Sequence, residues 1–147
     1  SSSAASDVYK RQDVVPSVDC GIQGSGIHMV MGSGGAPEGV LSAVGLKCLG
    51  GDMQARLLPQ TEQEIQRLHT MGIDDPNKVL TLDDLVKGDD CIFAETAITD
   101  CAMLRGVRFF GGGARTSTLV LRYKTGTVRF IDTVHRFGED KPGVRMF

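Results

Sequence analysis

Long apolar runs are missing from this chain. None approaches the length of a membrane span, and no hydrophobic targeting core follows the N-terminus, so no membrane partner is expected. A charge excess is missing too. Sixteen basic side chains face 18 acidic ones, for a formal net charge of -2. That balance gives no bulk attraction for nucleic acid or an anionic surface. There is no CxxC pair: Cys20, Cys48, Cys91 and Cys101 are widely spaced, and free buried thiols are expected over disulfides, in keeping with a reducing compartment. No glycine loop ends in GK[ST], which removes an ATP-type phosphate loop and with it a sugar kinase. His28, His69 and His135 have no metal-binding spacing, and the chain has no internal repeat.

What is present is glycine, in particular places. The chain has 19 glycines in 147 residues, against a usual share of about 7%. Much of the excess lies at 32–39 and 111–113, so it marks loops and not general disorder. With 41% apolar residues, the length suits one domain with a core. The first twelve residues, SSSAASDVYKRQ, have no helical or strand period and read as a disordered leader or non-native segment. The domain proper is expected over 13–147.

SGIHMVMG (25–32) is predicted as a strand running into the first glycine loop, with His28 as a core histidine. A helix follows. Pro37 suits its first helical position, Val40, Leu41, Val44 and Cys48 recur on one expected buried face, and Gly50-Gly51 stops it. TEQEIQRLHTMG (61–72) carries a capping-box pattern in Thr61 and Glu64, with Ile65 and Leu68 as its buried stripe, and TLDDL (81–85) repeats the cap with Thr81 and Asp84. Strands are predicted in 90–100 and 106–110, then as a hairpin over 117–137 around Lys124-Thr125-Gly126. Strands beside helices of this length point to a mixed, layered α/β domain.

The loop at 32–39 admits two readings. A helix N-terminus offers unpaired N–H groups and partial positive charge to a phosphate, and glycines let a ligand approach the backbone. Glu38 adds negative charge at the same place, and a divalent cation between carboxylate and phosphate would reconcile them. Alternatively, Glu38 only complements the helix dipole, worth roughly 0.3–1 kcal/mol, and the glycines form a tight turn. Elsewhere the signals are weaker. Arg115, in GGGARTST (111–118), reads as a surface residue before a phosphate contact. Asp132 and His135 suit an exposed strand face better than acid–base work, and Cys48 has no histidine beside it to make a nucleophile.

The run GSGGAPEGVLSAVGLKCLGGDMQARLLP (32–59) resembles the signature region of class II fructose-1,6-bisphosphatases, the glycerol-regulon type. GVRFFGGGARTSTLVLRYKTGTVRFIDTVHRF (106–137) resembles their C-terminal part, including the bifunctional fructose/sedoheptulose bisphosphatases of photosynthetic organisms. The resemblance covers about residues 13–140. It implies the C-terminal part of a layered α/β sandwich of the sugar-phosphatase type, related to the lithium-sensitive phosphatases. The implied activity is metal-dependent hydrolysis of the 1-phosphate of fructose 1,6-bisphosphate, or of the sedoheptulose 1,7-bisphosphate equivalent, in gluconeogenesis or the Calvin cycle. Glu38 then corresponds to a ligand of Mn2+ or Mg2+, and Gly35 to a contact of the sugar phosphate. Asp13 aligns with the last aspartate of the family's substrate-touching DGD motif, although Arg11 and Gln12 replace its first two residues.

Family members have roughly twice this length, and the half not represented here carries most of the metal carboxylates and the arginines that grip substrate. The resemblance further implies a cytoplasmic or chloroplast-stromal protein that is a homo-oligomer when full length. A competing class is a non-catalytic interaction domain that keeps the fold without the chemistry. The intact loop and Glu38 favour the phosphatase.

Overall fold

The computed structural model describes residues 14–138. The expected leader at 1–12 and Asp13 lie outside the described residues. The chain is mixed α/β, as the alternation of elements predicts: the first two helices lie against one face of an antiparallel sheet, beside a separate two-stranded ribbon.

Helix α1 (Val15–Cys20) has a proline in its first turn, where the missing N–H breaks no bond. No sequence pattern announced this element. Helix α2 (Ala36–Leu49) begins after Gly35 and ends at Gly50, whose φ of 74° reverses the chain as only glycine does readily. The boundaries match the sequence reading to within a residue, but only half of the expected face is covered: Val44 and Cys48 pack against the core, and Val40 and Leu41 do not. Val40 and Leu41 are 41% and 50% exposed, while Ser42, Ala43, Gly45, Leu46 and Lys47 are buried. The close approach of α1 selects that face. A β-carbon built at Gly45 would lie 2.6 Å from Val18 Cγ2, so the bare glycine lets Val18 seat against α2.

The predicted strand at 25–32 does not form. That segment is irregular, with Met29 and Met31 exposed and His28 exposed instead of buried in a core. A strand needs a neighbour for its N–H and C=O groups, and no described strand lies beside this one. Short strands β1 (Gln54–Arg56) and β2 (Val79–Thr81), also unforeseen, pair antiparallel with Ala55 opposite Leu80. Between them, helix α3 (Glu62–Thr70) carries the expected capping box: Glu64 N–H donates to Thr61 Oγ1 at 3.3 Å, and Thr61 N–H donates to Glu64 Oε2 at 3.2 Å. Ile65 and Leu68, its expected buried stripe, are only partly covered. Thr81 caps the single turn of α4 (Leu82–Leu85) with Asp84 in the same way.

The main sheet contains β3 (Ile92–Thr96), β4 (Arg108–Phe110), β5 (Gly113–Arg122) and β6 (Thr127–Arg136). Strand β5 is its spine. β6 pairs along the whole of one edge, while β3 and β4 divide the other edge, opposite Thr118–Arg122 and Gly113–Arg115. The hairpin turn falls where expected, with Gly126 at φ 58°. Strand β5 starts earlier than predicted and takes in Gly113 and Arg115 from the second glycine cluster.

Alternation along the strands puts Phe93, Leu119 and Leu121 on one face, where they meet Val18 and Leu104 in the core. Val44, Cys48 and Leu49 of α2 pack against that cluster. The core therefore holds α2 by its middle and C-terminal turns. Its N-terminus, with the glycine loop, projects beyond.

Candidate functional site

The N-terminal turn of α2 is built from GSGGAPEG. Gly35 is the N-cap, extended at φ -69° and ψ 153°, and its carbonyl accepts the first helical hydrogen bond from Gly39 N–H at 3.1 Å. It has no side chain to cap the helix, so the first N–H groups of α2 receive no side-chain cap bond from it. Residues 31–37 are all exposed. The site is an open helix end, presented by a helix that is anchored at its other end.

Glu38 stands in the first turn, half-buried. Its side chain curls back over the N-cap, so that a β-carbon at Gly35 would collide with Glu38 Oε2. Among the described residues Glu38 has no hydrogen-bond or ion-pair partner. The structure thus brings Gly35 and Glu38 into direct contact. Asp13 lies outside the described residues.

A hard divalent cation takes oxygen donors, about six for Mg2+. Glu38 has the right donor chemistry and an exposed approach. No group of three or more histidine, cysteine or carboxylate side chains gathers anywhere among the described residues. At this loop the described residues offer one carboxylate donor of the several such an ion takes.

The other sequence candidates separate. Arg115 is exposed on β5, opposite Arg108 and Val134. Asp132 and His135 lie three residues apart on β6 and so point to opposite faces of the sheet. Asp132 accepts from Ser117 Oγ at 2.6 Å, and His135 Nε2 meets Thr116 Oγ1 at 3.0 Å. They form no acid–base pair. Cys48 is half-buried, and burial followed by the neighbouring Cys91 pushes its thiol up to about 11, which suppresses the nucleophilic thiolate.

Sequence reasoning missed a carboxylate pair. Glu95, opposite Leu119 in the β3–β5 register, faces the helix layer, where Asp19 is buried. Burial raises Asp19 above the usual carboxylate value. Burial, then the charge of Asp19, does the same to Glu95. The two lie 76 positions apart, and only the sheet register that turns Glu95 inward would have linked them.

Comparison with known proteins matches the profile of the bacterial fructose-1,6-bisphosphatases encoded by glpX over residues 2–135. A D-fructose 1,6-bisphosphatase class 2/sedoheptulose 1,7-bisphosphatase of Synechococcus sp. strain JA-3-3Ab is 45% identical over 142 residues, covering 88% of this chain and 41% of that protein. The protein of the same name from Synechococcus sp. strain JA-2-3B'a(2-13) is 44% identical, over 91% of this chain and 42% of its own length. That of Crocosphaera subtropica is 44% identical over 84% of this chain and 39% of the relative. The chain therefore spans about two fifths of the relatives it matches. With a family profile running through nearly the whole sequence and the GGAPEG loop set at a helix end, the chain belongs to the glpX-encoded class of bacterial fructose-1,6-bisphosphatases.

Proposed function

We propose that this chain is part of a divalent-metal-dependent phosphatase that removes the 1-phosphate from fructose 1,6-bisphosphate, with sedoheptulose 1,7-bisphosphate as a second substrate. The observation that carries the reading is the contact between the Glu38 carboxylate and the bare Gly35 N-cap at the open end of α2. The names of its relatives, which pair these two activities, support the substrate class. The layered sandwich of the lithium-sensitive phosphatases is the architecture proposed for the whole protein, and a cytoplasmic location is proposed with it. No helix among the described residues is long and apolar enough to cross a membrane.

The free N–H groups at the start of α2 would bind the sugar phosphate, helped by the positive end of the helix dipole. Gly35 allows that phosphate to reach the backbone, where any β-carbon would obstruct both it and Glu38. Glu38 would hold Mn2+ or Mg2+ beside the phosphate. When bound, the ion supplies charge neutralisation for the phosphoryl oxygens and a lowered pKa for a water. Asp13 would add a contact to the sugar. Rigid anchoring of α2 at Ala43 and Leu46 fixes the direction in which the loop faces, and such positioning is a main source of rate in phosphoryl transfer.

The test is Glu38→Gln in a full-length version, titrated with Mn2+ and Mg2+ while phosphate release from fructose 1,6-bisphosphate is followed. Turnover should fall by orders of magnitude, with partial recovery at high metal, while Glu64→Gln on the exposed cap of α3 leaves both rate and metal midpoint in place. An unchanged rate and metal midpoint for Glu38→Gln would end the ligand assignment and leave only the helix-dipole role.

A further inference from the structure

Two cysteines far apart in the sequence meet beneath the sheet. Cys48 Sγ lies 3.8 Å from Cys91 Sγ and 3.7 Å from the Cys91 carbonyl oxygen, across 43 positions of chain. Cys48 belongs to the last turn of α2, and Cys91 immediately precedes β3. Both are half-buried and free. The carbonyl contact shows that the Cys48 side chain reaches the Cys91 backbone itself, so bringing the sulfurs together needs side-chain rotation more than movement of an element. A disulfide closes to about 2.05 Å. Lys47, next to Cys48 in the helix, has its ammonium engaged elsewhere, donating to the Val86 carbonyl at 2.8 Å and paired with Asp83 at 3.0 Å. Cys20 and Cys101 have no such partner sulfur.

From this juxtaposition we infer that Cys48 and Cys91 form a redox-modifiable dithiol, which a small disulfide oxidant converts into an intramolecular disulfide joining α2 to the start of β3. The inference is independent of the phosphatase reading. In the first step the Cys91 thiolate attacks one sulfur of the oxidant RSSR, forming a mixed disulfide and releasing RS−. In the second, Cys48 loses its proton and attacks the Cys91 sulfur, the protein S–S bond forms, and the second RS− leaves. The protein gives up two electrons and two protons, and the oxidant becomes two RSH. Burial keeps the Cys48 thiol protonated at neutral pH, so the second step is slow and accelerates as the pH rises toward that of the thiol. The bond would staple the C-terminal turn of α2 to the sheet while leaving its exposed N-terminal loop free.

The experiment treats the folded full chain with oxidised glutathione, blocks remaining thiols with N-ethylmaleimide, and maps disulfides by peptide mass. The expected result is that reactive thiols fall from four to two. The chain loses two hydrogens in mass, one cross-linked peptide joins Cys48 to Cys91, and dithiothreitol reverses the change. Formation should be faster at pH 9 than at pH 7. The melting midpoint of the oxidised chain should rise, because a closed loop restricts the unfolded state. Cys48→Ser should yield a stable glutathione adduct at Cys91 with no cross-link. Cross-links involving Cys20 or Cys101, or a Cys48–Cys91 bond appearing only in denaturant, would overturn the inference, and neither outcome depends on a variant folding.

Discussion

The Glu38 carboxylate rests against the α-carbon of Gly35, in the space that any other residue would fill with its β-carbon. The atom in the way is the far end of a flexible side chain, so Gly35→Ala is accommodated by rotating Glu38 outward. The backbone there is ordinary for alanine, at φ -69°. Loss of a glycine N-cap to alanine is expected to cost about 1 kcal/mol or less. In a full-length version the metal midpoint should therefore shift far more than the melting temperature. Equal, small changes in both would show that Glu38 does not act from the position seen here.

Asp19 and Glu95 set a second expectation, about pH. Both have folded pKa values raised above their unfolded ones, chiefly by burial. A carboxylate of that kind destabilises the fold when ionised, above its folded pKa. The penalty is relieved as pH falls through that value toward the unfolded one. Glu64, Asp84 and Asp90 run the other way. Backbone N–H groups of Gln60 and Thr61 hold Glu64 low, that of Thr81 holds Asp84 low, and the Arg122 guanidinium does so for Asp90, and their contribution is lost on acidification. Subtracting a variant isolates the first effect. Asp19→Asn should stabilise the chain at neutral pH in urea unfolding, and its advantage over the parent should shrink in acid. An advantage that is absent at neutral pH, or that grows in acid, would contradict the buried-pair account.

The features legible in the sequence were those written locally. The ends of α2, both capping boxes and the Lys124-Thr125-Gly126 turn depend on residues within a few positions of one another, and each stands where the pattern put it. What failed depended on a distant partner. The apolar stretch at 25–32 has strand composition but no described neighbour to pair with. Val40 and Leu41 looked like core, yet the contact is set by the missing side chain of Gly45 against Val18. Glu38 and Gly35 share one turn, so the candidate site was readable. The carboxylate and thiol pairs were not, because only the helix-on-sheet packing brings α1 and α2 to β3.

Gly45 and Gly106 give a test of that packing. In Gly45→Ala the new methyl gains about 1 kcal/mol in helix propensity but meets Val18 Cγ2 at 2.6 Å inside the core. Overpacking of this kind typically costs about 1–3 kcal/mol, so the net change should be destabilising but modest. At Gly106 the β-carbon would lie 2.7 Å from the Ile98 carbonyl oxygen and the Thr99 backbone, which cannot rotate away. Gly106→Ala should therefore lower the urea midpoint more than Gly45→Ala does. The reverse order would mean that the 98–106 loop yields more easily than the α1–α2 contact.

The last expectation concerns β6. It pairs with β5 along one edge only, and no described strand covers the other, so its outer N–H and C=O groups are open to another chain. Val128, Phe130 and Val134 lie on one face of that strand, at even spacing, and are 48%, 62% and 49% exposed. A free edge joined to an apolar row is the combination that favours strand-to-strand association. Asp132 interrupts the row with a single carboxylate, which accepts a hydrogen bond from Ser117 Oγ on the neighbouring strand. The purified chain should therefore self-associate as concentration rises, visible in sedimentation velocity. Phe130→Lys places a charge in the middle of the row, opposite Leu119, without removing a fully buried side chain. It should shift the population toward monomer while leaving the far-ultraviolet circular dichroism unchanged. If the parent stays monomeric at high concentration, or if Phe130→Lys associates as readily as the parent, the open edge is not the adhesive surface.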